Sequence, residues 1–183
     1  LGYQPDGLLY VRIEPRTGGI PQNRRADFFE QAVKYLGGAP GVTSSSAAVY
    51  PLLSGISGIG TGTDTVAACT TDFNPETPRE RTIGISPVTP QFFQTMQLPM
   101  ISGRDFDWTD RPKPGGLPVA IVNDAFVRKY YARGKSPVGE KLGLGNACPN
   151  NPATTTVIGV VGDAKALPRK DAAPIVYVPF GNT

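Results

Sequence analysis

The acidic side chains that could support chemistry lie in two polar loops of this 183-residue chain. Asp105 and Asp107 stand in the stretch DFDWTDRPKPGG, and Glu76 stands in FNPETPRE. A carboxylate-based hydrolase needs two such acids in one cleft, with their pKa values driven apart so that one donates a proton while the other accepts it or attacks. Because acids in loops rich in proline and glycine are typical of solvated turns, this hydrolase stays an alternative function.

The first of these loops also resembles a calcium loop in one respect. Asp105, Asp107 and Asp110 are spaced along it like the carboxylates of such a site. The glycine that bends an EF-hand loop and the Glu that closes it are both missing. We therefore predict no metal here.

Other common catalytic and cofactor motifs are excluded by composition. The chain has no histidine, which rules out Ser-His-Asp and Cys-His pairs and every zinc site that needs imidazole. The triplet Gly134-Lys135-Ser136 is no phosphate loop, because Lys129 stands where that motif needs glycine. Catalysis would have to use carboxylates, Lys or Tyr alone, and we predict no catalytic residue and no cofactor.

Two cysteines, Cys69 and Cys148, lie far apart and form no Cys-x-x-Cys motif. Two thiols cannot make a structural zinc site by themselves. In an exported domain they would form a disulfide, which the chain-entropy model values at roughly 4 kcal/mol. The alternative is two unrelated thiols.

The charge pattern argues against a nucleic-acid partner. The chain carries 18 basic and 15 acidic residues, a net charge of +3. A nucleic-acid binder usually shows a concentrated basic stripe, whereas the densest groups here are only basic pairs. These pairs are Arg24-Arg25, Arg128-Lys129 and Arg169-Lys170.

Hydrophobic spacing in residues 8–50 predicts a strand–helix–strand unit. Leu9, Val11 and Ile13 alternate with polar neighbours, which indicates a half-buried strand. A helix should follow over Arg25–Leu36, with one apolar stripe and with Gly37-Gly38 ending it. The second strand is expected over Val42–Tyr50.

The stretch from Thr82 to Phe106 is expected to be a strand, a short helix and a return loop. Thr82–Ser86 alternates like a strand, and Thr89 is the predicted N-cap, with Pro90 at the first helical position. Phe92 and Phe93 then begin an apolar face that should belong to the core. By contrast, residues 51–81 have the composition of a surface loop.

The rest of the chain should contain four strands and one capped helix, and the helix follows the first of these strands. The predicted elements are a strand over Pro118–Val122, a helix over Asp124–Tyr131 capped by Asn123, a short strand around Leu142 and Leu144, a central strand over Thr155–Gly162, and a last strand over Ile175–Phe180 in which Pro179 hints at an edge or an exit.

This order of elements predicts an α+β fold with two lobes and mixed sheets. Residues 1–80 would form one lobe and residues 81–165 another, with the last strand, in 166–183, returning to the first lobe. Segments near Thr82 and Gly103 would be the hinges.

Five runs of sequence then resemble a known family. They are ISPVTPQFFQTMQLPMISGRDF, PVAIVNDAFVRKYY, SPVGEKLGLG, TTVIGVVGDAK and IVYVPF. Each is a packing motif of low specificity, but in this order they resemble the extracytoplasmic (periplasmic) core domain of MacB-like or FtsX-like ABC-transporter permeases. The resemblance covers about residues 1–183 and is strongest to the duplicated permeases of acidobacteria. It implies that the first lobe, residues 1–80, is porter-like and that the second, residues 81–165, is a smaller mixed α+β lobe.

The resemblance implies a non-catalytic domain that transmits conformational change or contacts a partner or cargo during export. Such a domain lies between two transmembrane helices, on the periplasmic side of the inner (cytoplasmic) membrane. Implied partners are the rest of the permease, a second copy of the domain, a periplasmic adaptor and a cytoplasmic ATPase. The chain itself has no apolar run of the ~20 residues that cross a bilayer, and it starts without Met, so we expect it to be part of a longer protein.

One further alternative is a soluble small-ligand receptor with a pocket between the lobes. In that case Phe92 and Phe93 would line the pocket instead of packing in the core.

Overall fold

The computed structural model describes residues 6–15, 17–50, 64–70, 72–73, 82–112, 118–145, 148, 155–164 and 172–181. Its helices are α1 (Arg25–Gly37), α2 (Phe92–Thr95) and α3 (Asp124–Tyr130), with 3-10 turns at Gln22–Arg24 and Trp108–Asp110. Its strands are β1 (Asp64–Thr70), β2 (Thr82–Val88), β3 (Met100–Gly103), β4 (Val119–Asn123), β5 (Lys141–Leu144), β6 (Thr155–Val161) and β7 (Ile175–Pro179). This mixture of helix and mixed sheet confirms the predicted α+β class.

The seven strands form one sheet in the order β3-β6-β4-β7-β2-β1-β5. β5 also pairs with β6, through Lys141↔Thr156 and Leu142↔Thr155, so six of the strands close into a ring. β4 runs parallel to β6 along one edge, which leaves the other edge of β6 for β5 at its start and β3 at its end. The ring therefore has no open edge along β6, the predicted central strand.

The interior of the ring is filled by an apolar cluster to which each of its six strands contributes a buried side chain. Phe126 and Tyr130 on α3 join this cluster, with their rings stacked at a centroid distance of 4.3 Å. The strand contributions include Ala68, Ile83, Val122, Leu142, Val157 and Val176. Burial of these apolar groups is the main favourable term that holds the ring together.

A second apolar cluster covers the outside of β4, β6 and β7. Phe92 and Phe93 on α2 are both buried in it, and Phe93 meets the Tyr177 ring edge-on at 5.0 Å. The prediction that both phenylalanines are core residues is therefore confirmed.

Local sequence signals located several elements correctly. The predicted helix over Arg25–Leu36 is α1, and Gly38 follows it as C-cap, donating its N–H to Tyr35 O and Leu36 O. Asn123 caps α3 as predicted, because its side chain accepts a hydrogen bond from Phe126 N. The strands predicted from 82, 118, 142, 155 and 175 are β2, β4, β5, β6 and β7.

The predicted strand–helix–strand unit over residues 8–50 is wrong at both strands. Residues 8–14 belong to no strand, and Leu9 and Val11 are 89% and 61% exposed. In Val42–Tyr50 the structure has one isolated bridge, Ala48↔Val88. The helix is present, but among the described residues the flanking segments lack the continuous backbone pairing that would define strands.

The expected N-cap at Thr89 is also wrong, because this side chain has another partner. Thr89 is buried, its Oγ1 accepts from Ala47 N at 2.8 Å, and its own N–H bonds to Ala47 O. Gln91, in the left-handed region at φ 65°, precedes α2 instead. Thr89 thus fastens residue 47 to the end of β2.

Two strands were missed, and one was misjudged. β1 lies within the expected loop 51–81, and β3 lies in the expected return after α2. β7 pairs with both β2 and β4, so the edge alternative for Pro179 is wrong, whereas the exit alternative is confirmed because Pro179 is the last residue of the strand. Because β1 and β7 share one sheet with strands of residues 82–161, strand pairing crosses both predicted boundaries, at 80 and 165. The division into lobes stays a prediction.

Neither predicted hinge lies in an unpaired connection. Thr82 pairs with Ala67 of β1, and Gly103 pairs with Gly159 of β6. Gly103 has φ +76°, and a Cβ there would lie 2.7 Å from the Gly159 Cα and closer still to Ile158 O. This glycine permits a close approach of two backbones, which explains its presence without any hinge.

Candidate functional site

The acidic loop after β3 is organised around Arg104. Its guanidinium makes two hydrogen bonds to Asp110, with Nη1–Oδ2 at 2.6 Å and Nη2–Oδ1 at 2.8 Å. Asp107 Oδ2 lies 3.7 Å from the same group. A bidentate pair of this kind fixes both side chains, so the carboxylate of Asp110 has a structural role.

Asp107 and Asp110 also form the two halves of a capping box for the 3-10 turn Trp108–Asp110. Asp107 Oδ1 accepts from the N–H of Thr109 at 2.7 Å and from its hydroxyl, and Asp110 Oδ2 accepts from Asp107 N at 2.9 Å. The bonds from Thr109 lower the pKa of Asp107. The sequence carried part of this signal, since Asp is a preferred N-cap residue and a second acid follows it three residues later, where the capping box usually has Glu or Gln.

Asp105, the third acid of the loop, is half-buried and serves the backbone. Its Oδ1 accepts from Phe106 N at 2.7 Å. Burial raises the pKa of Asp105, since removal from water disfavours the charged form, and the bonds from the backbone of Phe106 and Gln91 only partly oppose this. The described carboxylates of this loop therefore have structural roles. Glu76 lies outside the described residues.

No group of three or more His, Cys, Asp or Glu side chains that could hold a metal occurs within the part of the chain that the structure describes. Lys135 of the false phosphate-loop triplet lies on the surface in ion pairs with Asp72, at 3.0 Å, and Glu140, at 3.2 Å.

Arg111, directly after the acidic loop, attaches α1 to the ring. Its Nη1 lies 2.7 Å from Glu30 Oε2 and 3.3 Å from Asp27 Oδ1, both on α1. Arg111 and Lys34 each lie over the Trp108 ring, at 5.7 and 5.6 Å from its centre. Cations near an indole face are attracted by its negative potential, so the contact combines ion pairs with cation–π contacts.

Two further contacts complete the attachment of α1. Phe29 packs against Phe180 with ring centres 5.0 Å apart, and Ser45 Oγ donates to Val33 O at 2.6 Å. The predicted apolar stripe of α1 is only partly used, since Val33 is buried while Leu36 is 46% exposed. α1 is therefore held mainly by a few specific contacts and not by a broad apolar face.

Asn123 is completely buried, and its side-chain amide makes four hydrogen bonds within the ring. Its Oδ1 accepts from Phe126 N at 3.1 Å and from Ile175 N at 2.8 Å. Its Nδ2 donates to Asp163 Oδ1 at 2.8 Å and to Ala173 O at 2.9 Å. One fully buried amide thus joins β4, the start of α3 and the start of β7.

Asp163 extends this group of hydrogen bonds to the surface. Its Oδ1 also accepts from Ala125 N at 2.9 Å, and its Oδ2 pairs with Arg128 at 2.8 Å. Arg128 in turn pairs with Asp124. Sequence analysis predicted the cap at Asn123 but missed its contacts with residues 163 and 175, which no local pattern reports.

Cys69 and Cys148 are joined by a disulfide in the structure, with their Cα atoms 5.8 Å apart. Cys69 is buried on β1 opposite Gly143 of β5, and Cys148 follows β5. The disulfide therefore joins the chain after β5 to β1, beside the pairing of β1 with β5.

The described surface also carries an exposed apolar segment over residues 8–14. Leu9, Tyr10, Val11 and Ile13 are all among its large exposed hydrophobics. Arg12 pairs with Glu14 within the segment, at 2.6 Å.

A comparison with protein families gives the chain its identity. The model of the MacB-like periplasmic core domain matches residues 3–183. The chain belongs to this family. The predicted resemblance is confirmed at that level, and the domain belongs to the extracytoplasmic side of an ABC-type transporter permease. Among the described residues, no helix is long and apolar enough to cross a membrane.

Solved structures also match the chain, at low identity. The extracellular domain of the noncanonic ABC-type transporter YknZ from Gram-positive bacteria is 20% identical, with a TM-score of 0.47 over 87% of this chain and 67% of that one. The periplasmic region of MacB from Actinobacillus actinomycetemcomitans is 15% identical, with a TM-score of 0.39 over 64% of this chain and 48% of that one.

A domain of a putative permease from Porphyromonas gingivalis is 16% identical, with a TM-score of 0.42 over 63% of this chain and 41% of that one. The chain thus spans less than half the length of the last two structures that it matches. No curated protein matches it.

Proposed function

We propose that this chain is a non-catalytic extracytoplasmic domain of an ABC-type permease that transmits conformational change between the membrane and a partner or cargo during export. The observation that carries the proposal is the family match over residues 3–183. The permease would lie in the inner (cytoplasmic) membrane.

The absence of catalysis is supported by how the loop acids are used. Asp107 and Asp110 are engaged by a capping box and by Arg104, and Asp105 accepts a backbone N–H. A hydrolase needs one carboxyl free to exchange a proton with substrate. The described acids of this loop would have to give up structural bonds to do so.

A role in transmission is supported by the contrast between the ring and α1. The ring is closed by strand pairing and by a disulfide, so it should move as one body. α1 is attached through the contacts of Arg111 and Trp108, through the Phe29–Phe180 ring pair, and through the bond from Ser45 Oγ to Val33 O. An element held by a small number of contacts is released at lower cost than strands held by continuous pairing, so α1 is the part that can shift against the ring.

The proposed partners follow from the family. They are the transmembrane remainder of the same permease, a second copy of the domain, a periplasmic adaptor, and an ATPase acting from the cytoplasm. We propose no nucleic-acid partner, because the net charge is only +3.

The first test is the side of the membrane on which the domain lies. Arg133, on an exposed turn after α3, is replaced by Cys in the full-length permease, and intact cells are treated with a membrane-impermeant maleimide. Labelling without prior permeabilisation is expected. Labelling only after permeabilisation would refute the extracytoplasmic location, and recovery of the chain in a soluble extracellular fraction would favour the small-ligand receptor.

The second test is movement driven by the ATPase. A fluorophore at R133C is measured in proteoliposomes that contain the permease, its ATPase and a lipid-phase quencher. Quenching should change when ATP is added and stay constant with an ATPase that cannot hydrolyse ATP. Equal quenching in all nucleotide states would refute transmission and leave the domain a static binding module.

A further inference from the structure

From the contacts of α1 we infer a latch: the helix is released from the 3-10 turn Trp108–Asp110 when the ionic contact between Glu30 and Arg111 opens, and it then swings about its fastened C-terminal end. This inference deepens the proposed function and rests on it, because the latch is the place at which the transmitted movement would occur in this domain.

The C-terminal end of α1 is fastened through the segment that follows it. Ser45 Oγ donates to Val33 O in the last turns of the helix, at 2.6 Å. The backbone of Ala47 then bonds to Thr89 in both directions, and Ala48 forms the bridge that follows on the same strand. This end of the helix is therefore joined to β2 within a few residues and can serve as a pivot.

The side of α1 that faces the 3-10 turn is held by charged groups that meet at Glu30. Glu30 Oε2 accepts from Arg111 Nη1 at 2.7 Å, and Glu30 Oε1 accepts from Lys34 Nζ at 2.6 Å. The same two cations lie 5.7 and 5.6 Å from the centre of the Trp108 ring. Because one carboxylate positions both cations at the indole, loss of the Glu30 charge should weaken the ion pair and the cation–π contacts together.

The docked position of α1 also carries a cost at Arg111. Glu30 and Asp27 both approach the same atom, Nη1, at 2.7 and 3.3 Å. Nη2 is buried and has no hydrogen-bond partner in the described part of the chain. A buried donor without an acceptor is unfavourable, and water would reach this atom once α1 has moved away. This cost offsets part of the ionic attraction, so the docked and released states should be close enough in free energy for a ligand or a partner to shift them.

Opening the latch must also separate the rings of Phe29 and Phe180, whose centres are 5.0 Å apart. Phe29 is only half-buried, and a single aromatic pair adds modest stabilisation. This pair does not depend on charge, so it remains when Glu30 is neutralised. A variant without the Glu30 charge should therefore stay folded while its helix is released more often.

The test follows α1 in the full-length permease, in proteoliposomes with its ATPase and with cysteines outside this chain replaced. A bimane label is attached at Q31C, because Gln31 is exposed and lies one helical turn from Lys34. An indole quenches bimane at short range, and Trp108 is the only tryptophan of this chain. The matched Q31C/W108F variant gives the unquenched value and accounts for tryptophans elsewhere in the permease. Cys69 and Cys148 are bonded to each other and do not take the label.

The Q31C label should be quenched relative to Q31C/W108F, and ATP should raise its fluorescence. Without ATP, addition of E30Q should raise the ratio of released to docked α1 about fivefold or more, because a charge-assisted bond is lost. D124N is the matched control, since it neutralises a carboxylate of an exposed ion pair on α3, and it should shift this ratio by less than about twofold.

The pivot is tested with a disulfide between G37C and S45C. A Cβ at Gly37 would lie 4.0 Å from Ser45 Cβ, which is within the range of a disulfide. This bond is formed before the label is attached at Q31C. The ATP response should persist, because the disulfide joins two points that stay together. Loss of the response would mean that the C-terminal end of α1 also opens, which would overturn the latch.

Two other results would overturn the inference. If E30Q is no brighter than D124N, α1 is held independently of Glu30. If ATP changes the quenching of R133C but leaves Q31C constant, the domain moves without opening the latch, and the proposed function stands without it. Constant signals from both probes would refute transmission itself and the latch with it.

Discussion

Replacement of Asn123 by alanine should be one of the most damaging single changes in the ring. The variant removes the acceptor for Phe126 N at the start of α3 and for Ile175 N at the start of β7. It also removes the donor to Ala173 O and Asp163 Oδ1. Asn123 is completely buried, so water cannot readily replace these bonds.

The magnitude follows from two separate losses. An N-cap asparagine contributes about 0.5–2 kcal/mol. A buried N–H left without an acceptor, as at Ile175, costs about 1–3 kcal/mol. Asp163 loses less, since it keeps its bonds to Ala125 N and Arg128. We therefore expect N123A to lower the free energy of unfolding by about 2–4 kcal/mol, and the melting temperature by about 5–12 °C.

The assay is urea unfolding followed by circular dichroism, with N123D and D124A as matched variants. N123D keeps the cap but brings a second carboxylate to the position 2.8 Å from Asp163 Oδ1. Its destabilisation should therefore decrease on acidification, because protonation of either carboxyl removes the repulsion. D124A loses only an exposed pair and should stay within about 0.5 kcal/mol of the parent. A loss under about 1 kcal/mol for N123A would refute the view that this amide connects β4, α3 and β7.

Three other predictions concern the disulfide, one glycine and two acids of the loop after β3. The Cys69–Cys148 disulfide closes a loop with a sequence separation of 79. On the chain-entropy model, its reduction should lower the free energy of unfolding by about 4 kcal/mol. Two titratable free thiols in the unreduced protein would contradict the disulfide. G103A should destabilise by more than about 3 kcal/mol, because it combines a positive φ with a backbone clash. Gly134 has a similar φ, but a Cβ there would meet nothing within 4 Å, so G134A should lower the free energy of unfolding by only about 1–2 kcal/mol. Equal destabilisation by G103A and G134A would contradict a backbone clash at Gly103. The pKa of Asp105 is raised in the folded state, so the contribution of Asp105 to stability falls as the pH rises through its unfolded and folded pKa values, and D105N should raise the melting temperature at pH 7 relative to the parent. The pKa of Asp107 is lowered in the folded state, so D107N should lower the melting temperature at pH 7. Melting-temperature shifts of the same sign for the two variants would contradict this assignment.

Sequence analysis predicted best those features that depend on neighbours in the chain. Asn123 caps α3 because its side chain meets a backbone N–H three residues on, and this geometry is fixed by local sequence. The apolar strand over Thr155–Val161 was recognisable because both of its faces are hydrophobic. The absence of histidine excluded whole classes of catalytic site.

Features that depend on distant partners could not be read in this way. Thr89 is a residue type that often caps helices, but its hydroxyl accepts a hydrogen bond from Ala47 N, 42 residues away in the chain. Residues 9–13 alternate like a half-buried strand, but periodicity reports the faces of a strand and not whether a neighbour covers them. β1 was hidden within a stretch whose glycine and serine content indicated a loop.

The sequence by itself determined the α+β class, the family, the capped helix and the lack of a histidine-based site. Only the tertiary structure decided that β5 meets β6 to close the ring, that Asn123 reaches Ile175, and that the loop acids are bound by Arg104 and backbone N–H groups. The physical reason is that local patterns fix how each segment can fold, whereas the choice of partner depends on contacts between segments far apart in the chain.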